Sequence, residues 1–244
     1  MSETTRVALV TGASGGIGRA VARRLATEGM AVGVHYAGNK AAAEETVAAV
    51  EEAGGRAVAV TGDVADEDAM ADAFSVVEGA FGGIDVVVHT AGVMTLGPIA
   101  EFDLDAFDRL MRTNVRGAFV VAREAARRVR DGGAVVTFST SVTRLAFPGY
   151  APYAASKGAV EAMTLVLARE MRGRDVTVNA VAPGPTATPL FLEGKDQGTI
   201  DRLAAQPPLE RLGTPEDIAE TVAFLAGPGR WVNGQVLFAN GGIA

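Results

Sequence analysis

Val7-Ala8-Leu9-Val10-Thr11-Gly12-Ala13-Ser14-Gly15-Gly16-Ile17-Gly18 is the stretch whose reading decides the architecture. The apolar run Val7–Val10 reads as a buried strand, and the alanine-rich, amphipathic segment Gly18–Glu28 as a helix, with a glycine turn between them. Glycines let a backbone approach a pyrophosphate closely, and a helix N-terminus offers free N–H groups and a partial positive charge. Glycines also serve tight packing, so the turn alone says little. The order strand, glycine turn, helix makes Gly12, Ser14, Gly16, Ile17 and Gly18 candidates for gripping a dinucleotide.

Working outward, strands are predicted at Ala31–His35, Ala57–Thr61, Val86–His89, Ala134–Ser139, Thr177–Val181 and Val236–Phe238. Helices are predicted at Lys40–Glu52, Asp66–Gly79, Leu104–Arg127 with a bend near Gly117, Tyr153–Met171 and Pro215–Leu225. Thr214 is the expected N-cap of the last helix, with Pro215 at its first position. The strands are continuously apolar rather than alternating, the pattern of parallel strands covered on both faces. Strand–helix alternation with no Pro/Ser-rich linker predicts an α/β fold, a single doubly wound Rossmann-type domain over residues 1–244. The stretch Pro183–Pro208 is rich in Gly, Pro and Thr and too long for a plain connection. It reads as an irregular substrate lid.

Composition narrows the function. With 48% hydrophobic residues in 244, a sizeable core is available. Lys and Arg total 22 against 29 Asp and Glu, a formal charge of −7, which argues against a nucleic-acid partner. The four arginines between Arg123 and Arg130 lie in a helical pattern, so a solvated or subunit-facing helix is expected. Absence of cysteine excludes disulfides, thiolate nucleophiles and Cys-type metal sites. The only histidines, His35 and His89, stand far apart at strand ends, and no metal site is expected from them. Met1 leads through polar residues into the first strand without an apolar signal region, and no apolar run reaches membrane-spanning length. A cytoplasmic enzyme with no membrane partner is expected.

The second strand runs into Val34-His35-Tyr36-Ala37-Gly38-Asn39-Lys40. An NAD site would place a carboxylate here for the ribose 2′-hydroxyl. Tyr36 stands there instead, and the first acid, Glu44, lies inside the predicted helix. Lys40 and the Asn39 amide suit a 2′-phosphate, although a helix start with one exposed lysine would look the same. The missing acid is the stronger argument, and NADP(H) is the expected cofactor. After the third strand, Asp63, followed by Val64, suits either an adenine amino group or the capping of the next helix. Tyr153-Ala154-Ala155-Ser156-Lys157 puts a phenol and an ammonium one helical turn apart, in a chain with only three lysines. A nearby cation is expected to lower the phenol pKa, which suits proton transfer near neutral pH. Ser139-Thr140-Ser141 lies at the carboxyl end of a strand, where open α/β sheets bind ligands, and equally suits a turn.

These residues together make the chain resemble the short-chain dehydrogenase/reductase family over essentially its whole length. Among subgroups it is similar to the ketoacyl-carrier-protein reductases and hydroxynaphthalene reductases. The family's Thr-Gly-x-x-x-Gly-x-Gly turn is complete at Thr11 to Gly18, and its Tyr-x-x-x-Lys pair at Tyr153 and Lys157. Its asparagine fits Asn114, its Ala-Gly after the fourth strand Ala91-Gly92, and its Pro-Gly turn Pro183-Gly184, with Thr186 and Thr188 beyond. Two departures stand out: His89-Thr90 replaces the family's Asn-Asn, and Thr140 stands where it carries serine. The usual arginine in the glycine turn is also missing, since Gly15 and Gly16 occupy its place.

The resemblance implies about seven parallel strands in the order 3-2-1-4-5-6-7. It implies NADPH-dependent carbonyl reduction with Tyr153 as general acid/base and Lys157 lowering its pKa and holding the nicotinamide ribose. Thr140 or Ser141 would bind the substrate oxygen, Ser139 being turned to the opposite face by strand alternation. Asn114 would hold a water linking Lys157 to solvent, and Thr188 would contact the nicotinamide amide. A homotetramer is implied through the helices at 104–127 and 153–171. There Phe107, Met111, Val115 and Phe119, and Val160, Met163, Leu167 and Met171, are core or interface. The alternatives are an NAD-dependent alcohol or polyol dehydrogenase and a catalytically silent dinucleotide-binding regulator. The intact Tyr153, Lys157 and Asn114 count against the silent regulator.

Overall fold

The computed structural model describes residues 5–244; Met1–Thr4, the polar lead read above as lacking a signal region, lie outside them. The chain runs β1 (Val7–Thr11), α1 (Gly16–Thr27), β2 (Ala31–Tyr36), α2 (Lys40–Glu52), β3 (Arg56–Thr61), α3 (Glu67–Phe81), β4 (Ile84–His89), α4 (Leu104–Met111), α5 (Gly117–Arg128), β5 (Val129–Phe138), α6 (Val142–Leu145), α7 (Ala151–Glu170), β6 (Thr177–Pro183), α8 (Pro189–Leu192), α9 (Gln197–Ala204), α10 (Pro215–Ala226) and β7 (Val236–Ala239). The strands form one sheet in the order β3-β2-β1-β4-β5-β6-β7, and every pair is parallel. Helices cover both faces. Ala8, Val10, Val32, Val34, Val86 and Val88 pack under α1, α2 and α10. Their neighbours Val7, Leu9, Ala31 and Val87 pack under α3, α5 and α7. Burial on both faces is why these strands read as unbroken apolar runs.

Element boundaries depart from the expected ones where caps decide them. α1 starts at Gly16 rather than Gly18, because Gly15 is its extended N-cap. α3 starts after Asp66, whose carboxylate accepts from the amides of Asp68 and Ala69, so the helix cap is Asp66 and not Asp63. α7 begins at Ala151, with Pro152 in its first turn, so Tyr153 sits within the helix rather than opening it. Thr214 and Asp217 form a capping box on α10.

The helix expected over Leu104–Arg127 is two helices joined by a π-turn at Arg112–Arg116. This interruption falls next to Gly117, near which a bend was expected; Gly117 itself is helical. The stretch Pro183–Pro208 is not irregular: it carries α8 and α9, capped by Thr188 and Asp196. His35 and His89, far apart in sequence, flank β1 from its two sides at the level of Thr11. The arginines of the Arg123–Arg130 run do not form a free basic face. Arg123 pairs with Glu67, Arg127 with Glu124, Arg128 with Glu78 and Glu124, and Arg130 with Asp85. No helix among the described residues is long and apolar enough to cross a membrane, and no group of three or more His, Asp or Glu is placed to hold a metal ion.

Candidate active site

The carboxyl ends of the parallel strands bring Thr11, Tyr36, His89, Phe138 and Pro183 to one edge of the sheet, and the site is built there. After β1 the chain turns at Gly12, whose φ of 68° only glycine adopts without strain; a Cβ there would stand 2.9 Å from the backbone of Ala91. The Ala13 amide donates to the His35 carbonyl at 2.9 Å, tying the turn to the end of β2. α1 opens with no side-chain cap and no acid in its first turn, so its leading N–H groups and dipole face outward uncompensated. Thr188 reaches across to this turn: its methyl lies 3.5 Å from where a Cβ on Gly16 would stand.

Departures from the family pattern after β4 have a structural account. Thr90 donates its hydroxyl hydrogen to the Thr11 carbonyl at 2.6 Å, and the Thr11 hydroxyl meets His89 Nδ1 at 2.9 Å. Together they pin β4 to β1 where the family's asparagines would act. Burial drives both imidazoles toward their neutral forms, His35 to about 4 and His89 to about 3.

Tyr153 and Lys157 share one face of α7. Lys157 is fully buried, and its Nζ donates to the Phe138 carbonyl at 2.9 Å; burial lowers its pKa to about 8. Its Nζ lies 5.8 Å from the Tyr153 ring centre. The expected lowering of the phenol pKa is not what this geometry gives. Burial pushes Tyr153 up to about 12, with the neighbouring Thr140 hydroxyl pulling weakly the other way. Among the three hydroxyls after β5, Thr140 is the one beside the phenol. Ser139 donates to Glu161 on α7, and Ser141 accepts from Asn240 Nδ2 at 3.0 Å.

Asn114 sits on the π-turn, where π-bulges commonly mark functional positions. Its Oδ1 accepts from the Val93 amide, and its Nδ2 donates to the Val93 carbonyl and to Ser156 Oγ. The side chain is thus a fastener between the segment after β4 and α7. Gly92 lies directly in front of Lys157: a Cβ there would come within 3.4 Å of Nζ and 3.2 Å of Asn114 Oδ1. A track of bare backbone therefore runs from the uncapped α1 terminus past Ala91 and Gly92 to Lys157. It fits a phosphate-bearing, sugar-bearing cofactor.

At the far end of that track, Tyr36, Asn39 and Lys40 cluster between β2 and α2. Asn39 Oδ1 caps α2 through the Ala42 amide, and Lys40 Nζ lies 3.5 Å from Glu44, the first acid after β2. Asp63 is held by Arg112 and the Ala65 amide, and the Val64 side chain is buried against Gly117. Pro183 and Gly184 close the cleft's other edge, with Thr186 bonded back to the Gly184 carbonyl.

Sequence reasoning missed Glu161, and it pointed to the loop 142–152 as shaping the substrate site without singling out Phe147 and Tyr150. Glu161 follows Tyr153 and Lys157 at the same four-residue spacing, a legible signal; its carboxylate accepts from both Ser139 and Thr143. Phe147 and Tyr150 line the cleft from a loop with no periodicity to read.

A family model described as enoyl-(acyl carrier protein) reductase matches residues 12–244. A short-chain type dehydrogenase/reductase of Picea abies is 43% identical over 97% of this chain and 92% of its own length. An NADPH-dependent aldehyde reductase-like protein of Arabidopsis thaliana, described as chloroplastic, is 38% identical over 97% and 93%. Among solved structures, a putative dehydrogenase from Burkholderia cenocepacia with bound NADP superposes with a TM-score of 0.95 at 32% identity, over 99% of this chain and 94% of that one. The chain belongs to the short-chain dehydrogenase/reductase family of oxidoreductases.

Proposed function

We propose that the chain is an NADPH-dependent carbonyl reductase in which Tyr153 gives its proton to the substrate oxygen. The observation that carries this is the Tyr153 phenol beside Thr140, at the end of a glycine-lined track that passes Lys157. With its pKa up at about 12, the phenol keeps its proton at neutral pH and is loaded as a donor. Lys157, at about 8, is mostly an ammonium there and is placed to hold a sugar hydroxyl against the Phe138 carbonyl. Thr140 is the substrate-oxygen partner rather than Ser141, whose hydroxyl is engaged by Asn240. Bound along the track, NADPH supplies the hydride that reduces the carbonyl carbon.

Choice of NADP over NAD is supported by Tyr36 in the place of an acid, by the acid-free first turn of α2, and by relatives named as NADPH-dependent or solved with NADP. The chain acts as one domain, with the segment 183–208 as a substrate lid, and it works as a homotetramer. Tyr153→Phe is expected to lower kcat roughly a hundredfold or more while NADPH affinity, read by fluorescence titration, stays near wild type. Thr140→Ala should cost about a hundredfold, well beyond Ser141→Ala. A Tyr153→Phe variant of near-normal rate would remove the mechanism.

A further inference from the structure

Resting on the reductase reading above, we propose that Arg112 and Arg116 are positioning residues. They tie the π-turn that carries Asn114 to the segment after β3, and so keep the adenine end of the cofactor track in register with Tyr153. The π-turn Arg112–Arg116 lies between two parts of the site that are remote in sequence. On one side it grips Asp63, Val64 and Ala65, each by a different contact. Arg112 donates to the Asp63 carboxylate, whose other oxygen accepts from the Ala65 amide at 2.9 Å. Arg116 Nε donates to the Ala65 carbonyl at 2.8 Å. Between them Val64 is buried against Gly117, where a Cβ would stand 2.7 Å from Val64 Cγ2, so the close approach needs glycine.

The other side of the turn faces the chemistry. Arg112 and Arg116 are exposed, whereas Asn114 between them is buried. Asn114 holds Val93 through both backbone groups and donates to Ser156 Oγ at 3.1 Å; Ser156 in turn donates to the Tyr153 carbonyl at 2.7 Å. One short turn thus joins the Asp63 carboxylate, suited to an adenine amino group, to the backbone of the proton donor. The Arg112–Asp63 pair is about half exposed, with 51% and 47% of the two side chains open to solvent, and a pair of that kind adds little to stability. Its effect is geometric. A π-turn is a rare form of helix, and contacts outside it keep this one in place. Misplacement of a catalytic group by roughly 1 Å can cost about a hundredfold in rate, so a loosened turn is felt at Tyr153.

The test is steady-state kinetics with butane-2,3-dione as a small ketone and either NADPH or its deaminated analogue, which carries hypoxanthine in place of adenine. Arg112→Met should lower kcat at saturating cofactor by roughly tenfold, and by the same factor with both cofactors, while Tm stays near the wild-type value. Arg112→Lys should recover most of kcat, because Arg112 donates to Asp63 through a single guanidinium nitrogen, which an ammonium can replace. Arg116→Leu should lower kcat in the same direction. A loss confined to the KM for NADPH and absent with the analogue would make Arg112 a part of the adenine seat alone, and overturns the inference. An unchanged kcat in Arg112→Met and Arg116→Leu, or a fall that Arg112→Lys does not recover, overturns it as well, in each case leaving a working reductase. No turnover by the wild type overturns the reductase reading itself, and this inference with it.

Discussion

Tyr36 shows how one residue carries a cofactor preference. A carboxylate in its place would repel a 2′-phosphate and accept from a 2′-hydroxyl. Tyr36→Asp is therefore expected to reverse the ratio of kcat/KM between NADPH and NADH. Lys40 contributes less: its side chain is 71% exposed and shared with Glu44, so Lys40→Ala should weaken NADPH binding by about 1 kcal/mol or less, with a salt dependence that NADH binding lacks. A wild-type preference for NADH would overturn both. His35 makes a second, independent case. It is buried, and its ring nitrogens have no hydrogen-bond partner among the described residues. Its folded pKa, about 4, lies below the unfolded value of about 6.5, so the unfolded chain binds the extra proton between those limits. Stability is fully present above about pH 6.5 and is lost as pH falls, by about 2 kcal/mol between roughly pH 7 and pH 5 from this group alone. His35→Leu should flatten the fall of Tm with acidification. An unchanged slope would show that other groups govern acid unfolding.

At the scale of elements, α7 and the segment after β5 must keep register for Tyr153 to meet Thr140. Glu161 ties them, accepting from Ser139 on one side of Thr140 and from Thr143 on the other. Glu161→Ala should lower kcat about tenfold and stability by about 1–3 kcal/mol, because two hydroxyls lose their acceptor. Glu161→Gln, which keeps an acceptor oxygen, should recover most of kcat. Equal loss in both variants would mean that charge rather than positioning matters. The same element level explains what escaped the sequence around Asn114. A helical pattern from Leu104 to Arg127 is real, but periodicity does not report a single wider turn, and only the contacts of Asn114 with Val93 and Ser156 reveal why that turn is there.

For the whole molecule, the apolar residues on the long helices separate into two groups. Val160, Leu167 and Met171 are buried within the chain, whereas Phe119, Leu165 and Val166 face outward with 59%, 44% and 55% of their surface exposed. Helical spacing picked out Val160, Leu167 and Met171 because they face the sheet; it passed over Leu165 and Val166 because they lie off that stripe. On the proposed tetramer these outward-facing side chains are the ones expected to be covered by a neighbouring subunit. Light scattering is expected to give four times the chain mass, and Leu165→Glu to shift the mass downward. A monomeric mass for the wild type would refute the tetramer.

The sequence by itself determined the layered architecture, the parallel sheet and the pairing of Tyr153 with Lys157, because strand burial and helix periodicity are local patterns that repeat along the chain. Tertiary structure alone decided which hydroxyl meets the phenol, where the Lys157 ammonium points, and how Thr90 and His89 pin β4 to β1. It also decided that Asp63 binds Arg112 while Asp66 caps the helix. Those outcomes depend on groups brought together from distant parts of the chain in a low-dielectric interior. There, burial is the largest influence on the phenol and raises its pKa, where the spacing of Tyr153 and Lys157 suggested that a neighbouring charge would lower it.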